Sequence, residues 1–462
     1  MSIENTHHGA KIAASWLALA KRVVMLGIGG VGMYGIASEL KRRGKTVVGE
    51  DKTPNHLTRT LALGGVLVLL GEEHLPLGEG DVLVYTNAIS KDHPTYQKAQ
   101  SMGIPILSRA EALAGLASSY SPEIAIAGVH GKTTVTTMTG HILTEGGLDP
   151  TIFCGGIMKN ENSPYRAGNG GVVYEACEYM PSFLAFTPEI GVVLNIEWEH
   201  VDAYPTPESI DVAFERFAFQ SEHLVAPLEV CSRGRFCEHP HLYTFSLHDR
   251  GAFCYAKDMR HKKGRYHFTL CQNGEEIDEI SLLVQGEFQI KNALASSVVG
   301  RLCGVDGTSI CRSLSSETGA KRRLEHRGFL GKTPVFDDYA HHPTEISASL
   351  SALRASTEGK LICVFQPHTY SRTAAFLDEL ARALDLADVV ALLPIYGARE
   401  ENVWGVSSLD LAKKIGAKAT AYPGFSAIVP VLPTIAGAGD ILVIMGAGDI
   451  SMLFSLLPIT LP

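Results

Sequence analysis

The sequence predicts an α/β protein built from three consecutive domains. Three short apolar segments, typical of buried parallel strands, lie far apart in the chain, and each runs into a glycine-containing turn: Arg22–Leu26, Glu123–Ile126 and Ile441–Met445. A chain of 462 residues also exceeds what one hydrophobic core covers, since domains usually hold about 100–200 residues. We therefore expect a Rossmann-like N-terminal domain over 1–120, a P-loop-type central domain over 121–320 and a Rossmann-like C-terminal domain over 321–462.

The composition restricts the expected partners and location. The net charge of −9 argues against a general nucleic-acid surface, because such surfaces depend on an excess of Lys and Arg. Nine cysteines are scattered without a CxxC pair, so neither a disulfide framework nor a zinc ribbon is expected, and a reducing cytoplasm fits best. No stretch approaches the roughly 20 apolar residues of a membrane span, and the short run Ile12–Ala20 predicts an amphipathic or fraying helix.

The first glycine turn has the spacing GxGxxG and follows the segment Arg22–Leu26. A helical pattern comes next, and the following apolar segment ends at Asp51, about 20 residues beyond the glycines, where such folds contact a ribose hydroxyl. A nucleotide diphosphate is the expected ligand, although a tight turn without a ligand has the same spacing. The residues expected at this site are Gly27, Gly29, Gly30, Gly32 and Asp51, with Asn87 after the next apolar run, Asp81–Tyr85.

The second glycine turn is the most informative motif of the chain. Gly128–Thr134 lies between the segment Glu123–Ile126 and apolar residues spaced for one helix face, which Gly146 ends. Backbone N–H groups and the helix dipole attract anions at such a helix start. Lys132 is expected to reach a terminal phosphate, and the Thr133 hydroxyl to reach Mg²⁺. ATP is therefore the predicted ligand, while the alternative is an ordinary glycine turn at a helix start.

Polar residues after two later strands suggest a metal site. Glu175 closes the apolar segment 171–175, and His200 follows the segment 190–195. If the sheet is parallel, both strand ends face the phosphate loop, and Mg²⁺ prefers oxygen ligands, so the candidate ligands are Thr133, Glu175 and His200. The other nearby acids are interpreted mostly as solvated or helix-capping: Glu178, Glu197, Glu199 and Asp202. The alternating segment 242–284 predicts hairpins that form an antiparallel flap on the flank of the sheet.

Two histidine-containing loops mark the last third of the chain. Asp337–Glu345 is a polar stretch ahead of a helix that begins at Pro343, and its adjacent histidines diverge, so they are not expected to chelate one ion. After the segment Leu361–Phe365, His368 and Arg372 share a helix start, and Arg372 is a candidate for bidentate binding of a carboxylate. The alternatives are a hydrogen-bonded helix cap for the first loop and a solvated arginine for the second.

Taken in order, these motifs resemble those of the bacterial Mur ligases from Gly27 to Ile450. They are GIGGVGM at 27–33, GVHGKTT at 128–134, EACEYMPSF at 175–183, NIEWEH at 195–200, RR at 322–323, DDYAHHPTEI at 337–346, FQPHTYSRT at 365–373 and GAGDI at 446–450. The resemblance implies three domains that hold UDP, ATP with Mg²⁺, and the incoming amino acid, the third closing over the site. It is strongest to members that join L-alanine to UDP-N-acetylmuramate, and it implies an ATP-dependent ligase with an acyl-phosphate intermediate.

The resemblance also implies roles for particular residues. ATP-binding residues would be Gly128, His130, Gly131, Lys132, Thr133, Thr134, Gln289, Asn292, Arg323 and Asp338. Amino-acid-binding residues would be Tyr339, His342, His368 and Arg372, and catalytic residues would be Lys132, Glu175, His200, His341 and Arg372. The adenine-side motif departs from the family pattern, with Phe288 in place of its His and Gln289 in place of its first Asn. His200, His341 and His342 remain alternatives for deprotonating the amine.

One absence separates this chain from several relatives. No lysine occurs between Lys159 and Lys257, so the carbamylated lysine of other Mur-type ligases is not available, as expected for the alanine-adding type. Three alternatives remain at this stage: a ligase of the same fold that attaches a preformed peptide, an NAD-dependent oxidoreductase built on the first turn, and a non-catalytic nucleotide-binding module. The sequence is compatible with a monomer and with a homodimer.

Overall fold

The computed structural model describes residues 7–199, 203–262 and 264–461, and it contains three β-sheets with helices packed against them. The chain divides into two compact units. Unit 1 runs to Asp258 and adds Phe268–Ile280 and Lys291–Thr318, whereas unit 2 comprises Met259–His267, Ser281–Ile290 and the chain from Gly319 onward. The first sheet and most of the second belong to unit 1, and the third belongs to unit 2, which confirms the predicted α/β class.

Five parallel strands form the first sheet, in the order β3-β2-β1-β4-β5. The strands are β1 (Arg22–Leu26), β2 (Thr46–Asp51), β3 (Leu67–Leu70), β4 (Asp81–Tyr85) and β5 (Ile106–Ser108). The helices are α1 (Ala10–Leu19), α2 (Val31–Arg42), α3 (His56–Leu63), α4 (Pro94–Ser101) and α5 (Arg109–Ala117). Both faces of β1 are covered, which explains its apolar sequence, and the strand order reverses beside it, where such sheets bind ligands.

The second sheet has ten strands in the order β15-β14-β13-β12-β11-β10-β6-β9-β7-β8. The strands are β6 (Glu123–Ala127), β7 (Thr151–Met158), β8 (Ser163–Arg166), β9 (Val172–Glu175), β10 (Ile190–Val193), β11 (His223–Pro227), β12 (Leu242–Ser246), β13 (Cys254–Lys262), β14 (Arg265–Gln272) and β15 (Glu275–Ser281). The helices are α6 (Lys132–Glu145), α7 (Pro207–Gln220), α8 (Phe288–Leu302) and α9 (Gly307–Ser316). Because β6 pairs in parallel with both β9 and β10, the carboxyl ends of these strands share one edge.

The flank of the second sheet is only partly as predicted. Asn273 and Gly274 connect β14 and β15, and both have positive φ angles (51° and 80°), as a two-residue type I′ hairpin turn requires. The prediction of a wholly antiparallel flap is wrong for its first strand, because β12 pairs in parallel with both β11 and β13. The antiparallel hairpin of β7 and β8 was not predicted.

The third sheet has seven strands in the order β20-β19-β18-β21-β17-β16-β22. The strands are β16 (Glu325–Leu330), β17 (Thr333–Asp338), β18 (Leu361–Phe365), β19 (Val389–Leu392), β20 (Ala419–Ala421), β21 (Ile441–Met445) and β22 (Ile459–Thr460). The helices are α10 (Pro343–Arg354), α11 (Tyr370–Ala375), α12 (Leu377–Leu384), α13 (Ser408–Ile415), α14 (Phe425–Ile428), α15 (Leu432–Ile435) and α16 (Leu453–Leu456). Since β17, β18 and β21 are parallel, the loops after them share one edge.

A buried carboxylate fixes α2 within unit 1. Glu39 has no exposed surface and accepts hydrogen bonds from Arg42, Arg43, Tyr120 and Tyr165. Burial alone would raise the pKa of Glu39, but these donors outweigh burial and lower that pKa to about 2. Since Tyr165 belongs to β8, the network ties α2 to the second sheet. Within the described ranges, no helix is long and apolar enough to cross a membrane.

Candidate functional site

The first glycine turn connects β1 to α2 at the point where the strand order reverses. Gly27 has a φ of 75°, which residues with a side chain rarely adopt, and its N–H donates to the Glu50 carbonyl at 2.8 Å. The Gly29 N–H donates to Asp51 Oδ2 at 2.8 Å, so this carboxylate stabilises the turn itself. Asn87 is exposed in the loop after the neighbouring strand β4. The predicted diphosphate site is therefore a helix start beside two strand ends.

An arginine that the sequence analysis missed lies over the same turn. Arg109 opens α5, and a Cβ on Gly32 would lie 3.1 Å from its Nη1 atom, so a larger residue at 32 would collide with it. Its charge lowers the pKa of the Cys177 thiol, although burial, the larger effect, raises that pKa overall. In the part of the chain that the structure describes, Arg109 forms no hydrogen bond or ion pair. Arg109 is a half-buried cation beside the glycine turn, and its charge acts on Cys177, which lies just after β9.

The second glycine turn joins β6 to α6 and is held by residues from other elements. Gly131 has a φ of 85°, and a Cβ there would lie 2.9 Å from Asn292 Oδ1 on α8, so the position requires glycine. The His130 N–H donates to Asn195 Oδ1 at 2.9 Å, and Asn195 Nδ2 donates to the His130 carbonyl at 3.0 Å. Asn195 follows β10, so the pairing of β6 with β10 positions the loop. Gln289, one turn before Asn292, is also buried.

Lys132 forms an ion pair that the sequence analysis did not foresee. Its Nζ atom lies 2.7 Å from Glu178 Oε2 and also donates to the Gly128 and Val129 carbonyls. Glu178 and Glu199 are buried, so interpreting them as solvated acids is wrong. Burial, the largest single effect, would lower the pKa of Lys132, but the Glu178 carboxylate together with Cys177 and Glu175 raises that pKa above its usual value. Lys132 is therefore held as a cation at the first residue of α6.

Glu175 is the acid predicted as a metal ligand, and its carboxylate binds a backbone N–H. Glu175 ends β9 as expected, and its Oε1 atom accepts a hydrogen bond from the Gly155 N–H at 2.5 Å. Glu175 also contributes to the raised pKa of Lys132, less than Glu178 does. Thr133 and Thr134 are buried in the first turn of α6. His200 and Asp202 lie outside the described residues, so the described part of this site consists of Thr133 and the two carboxylates.

The loop after β17 brings charged and aromatic residues together in unit 2. The Tyr339 ring lies beneath two guanidinium groups, those of Arg322 at 4.8 Å and Arg323 at 5.4 Å from its centroid. Asp338 is buried, and burial raises its pKa to about 6. Its Oδ2 atom has no hydrogen-bond partner among the described residues. Ser349 and the Ala340 N–H form hydrogen bonds with this carboxyl, so its Oδ2 atom is the part left to contact a ligand.

The two adjacent histidines diverge, as predicted. His342 caps α10, where its Nδ1 atom accepts from the Thr344 N–H at 3.4 Å, and its ring meets Phe376 edge-on at 5.1 Å. The His341 ring instead lies between Tyr339 at 5.7 Å and His368 at 5.8 Å. The helix-cap alternative therefore describes His342, and the ring of His341 belongs to the cluster of the next loop.

His368 and Arg372 lie at the start of α11 and contact each other. Arg372 Nη1 is 3.1 Å from His368 Nδ1, and the His368 ring stacks on Tyr396 with centroids 5.7 Å apart. The four rings form a continuous row, in the order Tyr339, His341, His368 and Tyr396. A cavity of about 420 Å³ opens beside this row, lined in part by Gln366, Tyr370, Tyr396 and Glu400. The structure thus brings the predicted amino-acid-binding residues together, except His342.

Comparison with known proteins identifies the class. Three family models match consecutive parts of the chain: the Mur ligase family catalytic domain over residues 22–121, the Mur ligase middle domain over 126–300 and the Mur ligase glutamate ligase domain over 322–448. The chain belongs to the Mur ligase family, and the predicted three-domain Mur ligase architecture is confirmed.

Two curated relatives are similar to this chain over most of its length and are Mur ligases of one kind. The UDP-N-acetylmuramate–L-alanine ligases of Agathobacter rectalis and Acetivibrio thermocellus are each 38% identical to this chain, over 92% and 93% of it and 95% and 94% of their own lengths. The crystal structure of the UDP-N-acetylmuramate-alanine ligase from Thermotoga maritima matches with a TM-score of 0.78 and 26% identity, covering 94% of this chain and 97% of that one. The crystal structure of a murein peptide ligase from Psychrobacter arcticus matches with a TM-score of 0.70 and 23% identity, covering 96% of this chain and 100% of that one. At this level of identity, the match shows only that the two proteins share a fold.

Proposed function

We propose that the chain joins L-alanine to UDP-N-acetylmuramate in an ATP-dependent, amide-forming reaction of peptidoglycan precursor synthesis. Relatives that are 36–38% identical over more than nine-tenths of the chain carry this activity in their names. Within the protein, the observation that supports the chemistry most directly is the Lys132–Glu178 pair at the glycine turn, because phosphoryl transfer requires a cation held in place. Membership of a ligase family argues against the oxidoreductase and the non-catalytic module.

The proposed reaction has two transfers. A carboxylate is a poor electrophile, so one of its oxygens first attacks the γ-phosphorus of ATP, the bond to the bridging oxygen breaks, and ADP leaves. The product is an acyl phosphate. The amine of L-alanine, as the free base, then attacks the carbonyl carbon, the bond to the phosphate oxygen breaks, and phosphate leaves as the amide forms. Negative charge therefore collects first on phosphoryl oxygens and then on the tetrahedral intermediate.

The residues of the phosphate loop fit the first transfer. Lys132 and the N–H groups at the start of α6 would neutralise the phosphoryl oxygens, while Glu178 orients the lysine and keeps it charged. The Thr133 hydroxyl and the nearby carboxylates are the oxygen ligands that Mg²⁺ prefers. When bound, this ion neutralises phosphate charge and polarises the γ-phosphoryl group. We keep Glu175 and His200 as proposed ligands and add Glu178, because its carboxylate contacts the loop lysine.

The UDP diphosphate and the rest of the ATP molecule are also assigned to particular residues. We assign the UDP diphosphate to the first glycine turn, formed by Gly27, Gly29, Gly30 and Gly32, with Asp51, Asn87 and the cation of Arg109 beside it. Proposed ATP contacts beyond the loop backbone and Lys132 are His130, Thr134, Gln289, Asn292, Arg323 and Asp338. We retain the domain limits 1–120, 121–320 and 321–462 as the proposed division of these tasks.

The amino acid is assigned to the cluster in unit 2. Arg372, positioned by His368, presents a planar guanidinium group suited to the carboxylate of L-alanine. Tyr339 completes this side of the site. Of the two adjacent histidines, we favour His341 as the group that deprotonates the amine, because the Nδ1 atom of His342 already accepts a backbone N–H. His342 then contributes by fixing the start of α10.

Phosphate release tests the proposal. The enzyme is given ATP, Mg²⁺ and UDP-N-acetylmuramate, and release is measured with each amino acid of a panel and with a preformed tripeptide. We expect release that needs the sugar nucleotide and is supported by L-alanine. Faster release with the tripeptide would favour the peptide-adding ligase, and release without the sugar nucleotide would contradict both. A cytoplasmic location is part of the proposal, and sedimentation would distinguish the monomer from the homodimer.

A further inference from the structure

Two cysteines outside the proposed active site lie close together. Cys231 and Cys237 belong to consecutive 3-10 turns, Leu228–Ser232 and Phe236–Glu238. The Cys237 thiol donates to the carbonyl oxygen of Cys231 at 3.2 Å. Cys237 is exposed, whereas Cys231 is partly buried. An exposed thiol beside a more protected one is the arrangement of an attacking and a resolving cysteine.

Arg233, one of the residues between these cysteines, connects them to the phosphate loop. Arg233 pairs with Asp211 of α7 at 2.7 Å, and its Nη1 atom donates to the carbonyl oxygen of Ile196. Ile196 directly follows Asn195, the residue that binds both backbone groups of His130. A shift of the turn that carries Arg233 therefore removes a support from the segment that holds the phosphate loop.

We propose that Cys231 and Cys237 form a reversible disulfide that weakens ATP binding by displacing Arg233. The Cys237 thiolate attacks one sulfur of a low-molecular-weight disulfide, such as oxidised glutathione, and one glutathione thiolate leaves. Cys231 then loses its proton to solvent and attacks the Cys237 sulfur of the mixed disulfide, and the second glutathione leaves as its thiolate. Two protein thiols are oxidised to one disulfide, and one glutathione disulfide is reduced to two thiols.

The local geometry explains both the order of reaction and its effect. Burial and the neighbouring Cys237 thiol raise the pKa of Cys231 to about 12, so the exposed Cys237 reacts first. Only five residues separate the two cysteines, and Arg233 is one of them. Joining the sulfurs removes the hydrogen bond from the Cys237 thiol to the Cys231 carbonyl, and the short segment between them must change its path.

Peptide mapping tests the bond itself. The intact enzyme is equilibrated in glutathione redox buffers, quenched by alkylation and digested for mass spectrometry. The wild type should lose two hydrogen atoms and yield one peptide pair linked through positions 231 and 237. Cys231→Ser should stop at a glutathione adduct on Cys237, and Cys303→Ser, which changes a partly buried cysteine of another segment, should behave as the wild type. A glutathione adduct that persists on Cys237 in the wild type would overturn the proposal.

ATP saturation curves test the coupling to the phosphate loop. Loss of one hydrogen bond from a charged group that supports the loop predicts that oxidation raises the KM for ATP about tenfold, reversibly with dithiothreitol. The KM for the sugar nucleotide should not change, and Cys237→Ser should keep its KM for ATP in the oxidant. An unchanged KM for ATP in fully oxidised enzyme would overturn the coupling. The mapping needs no turnover, so its result is independent of the proposed ligase reaction.

Discussion

Replacing Glu178 by glutamine tests which acid serves the phosphate loop. The Glu178 carboxylate is 2.7 Å from Lys132 Nζ, and only 3% of its side chain is exposed. Water therefore cannot take the place of this carboxylate beside the lysine once its charge is removed. Glutamine keeps the shape and one hydrogen bond but removes the charge. Removing one preorganised electrostatic group from an active site costs roughly 100- to 1000-fold in kcat, or about 3–4 kcal/mol. We expect a loss in this range for Glu178→Gln.

Stability and a comparison variant complete this test. Breaking a buried ion pair costs about 3–5 kcal/mol, and since Lys132 keeps two carbonyl acceptors we expect the lower end of this range. Glu175→Gln changes the neighbouring acid, which accepts the Gly155 N–H instead, and should lose less activity than Glu178→Gln. The assay is phosphate release at saturating substrates, with thermal unfolding as the check on folding. Activity of Glu178→Gln within tenfold of the wild type would refute the reasoning.

Further variants test stability and substrate binding. Glu39→Gln should lower the free energy of unfolding at pH 7 by about 3 kcal/mol, because hydrogen bonds hold the pKa of Glu39 near 2. The difference in stability between variant and wild type should shrink as the pH falls from 4.5 towards 2. Equal denaturant midpoints at pH 7 would contradict this prediction. Glu123→Gln should stabilise the protein at pH 8 but not at pH 4. Burial raises the pKa of Glu123 from 4.5 to about 7, so wild-type stability falls as the pH rises from 4.5 towards 7. A pH-independent difference in the denaturant midpoint would count against this. Arg372→Lys should raise the KM for L-alanine about tenfold without changing the KM for ATP, because a lysine cannot bind a carboxylate bidentately. An unaltered KM for L-alanine would contradict the assignment of Arg372 to the amino-acid site.

Strands buried on both faces are predictable from sequence alone. The segments Arg22–Leu26, Asp81–Tyr85, Leu361–Phe365 and Ile441–Met445 coincide with the observed strands β1, β4, β18 and β21. Each is a continuous apolar run, because a parallel strand with helices on both faces has no solvent side. The flank of the second sheet was predicted less well, since alternation indicates a strand but does not fix whether its partner is parallel.

The glycine turns were also predictable, but the residues that support them were not. A positive φ at Gly27 and Gly131 follows from local chain geometry, which a short motif records. Glu178 lies beyond the end of β9 in irregular chain, so the rule that ligands follow strand ends selected Glu175 instead. Arg109 reaches Gly32 from the start of another helix. Such contacts depend on packing between elements, and no periodicity of the sequence contains them.

The path of the carboxylate oxygen tests the account most directly. UDP-N-acetylmuramate labelled with oxygen-18 in its free carboxylate is converted with ATP and L-alanine, and the released phosphate is analysed by mass spectrometry. The proposed acyl phosphate predicts one labelled oxygen in that phosphate, because the bond between the carbonyl carbon and the phosphate oxygen breaks when the amine attacks. Unlabelled phosphate from a reaction that forms the amide would contradict the account.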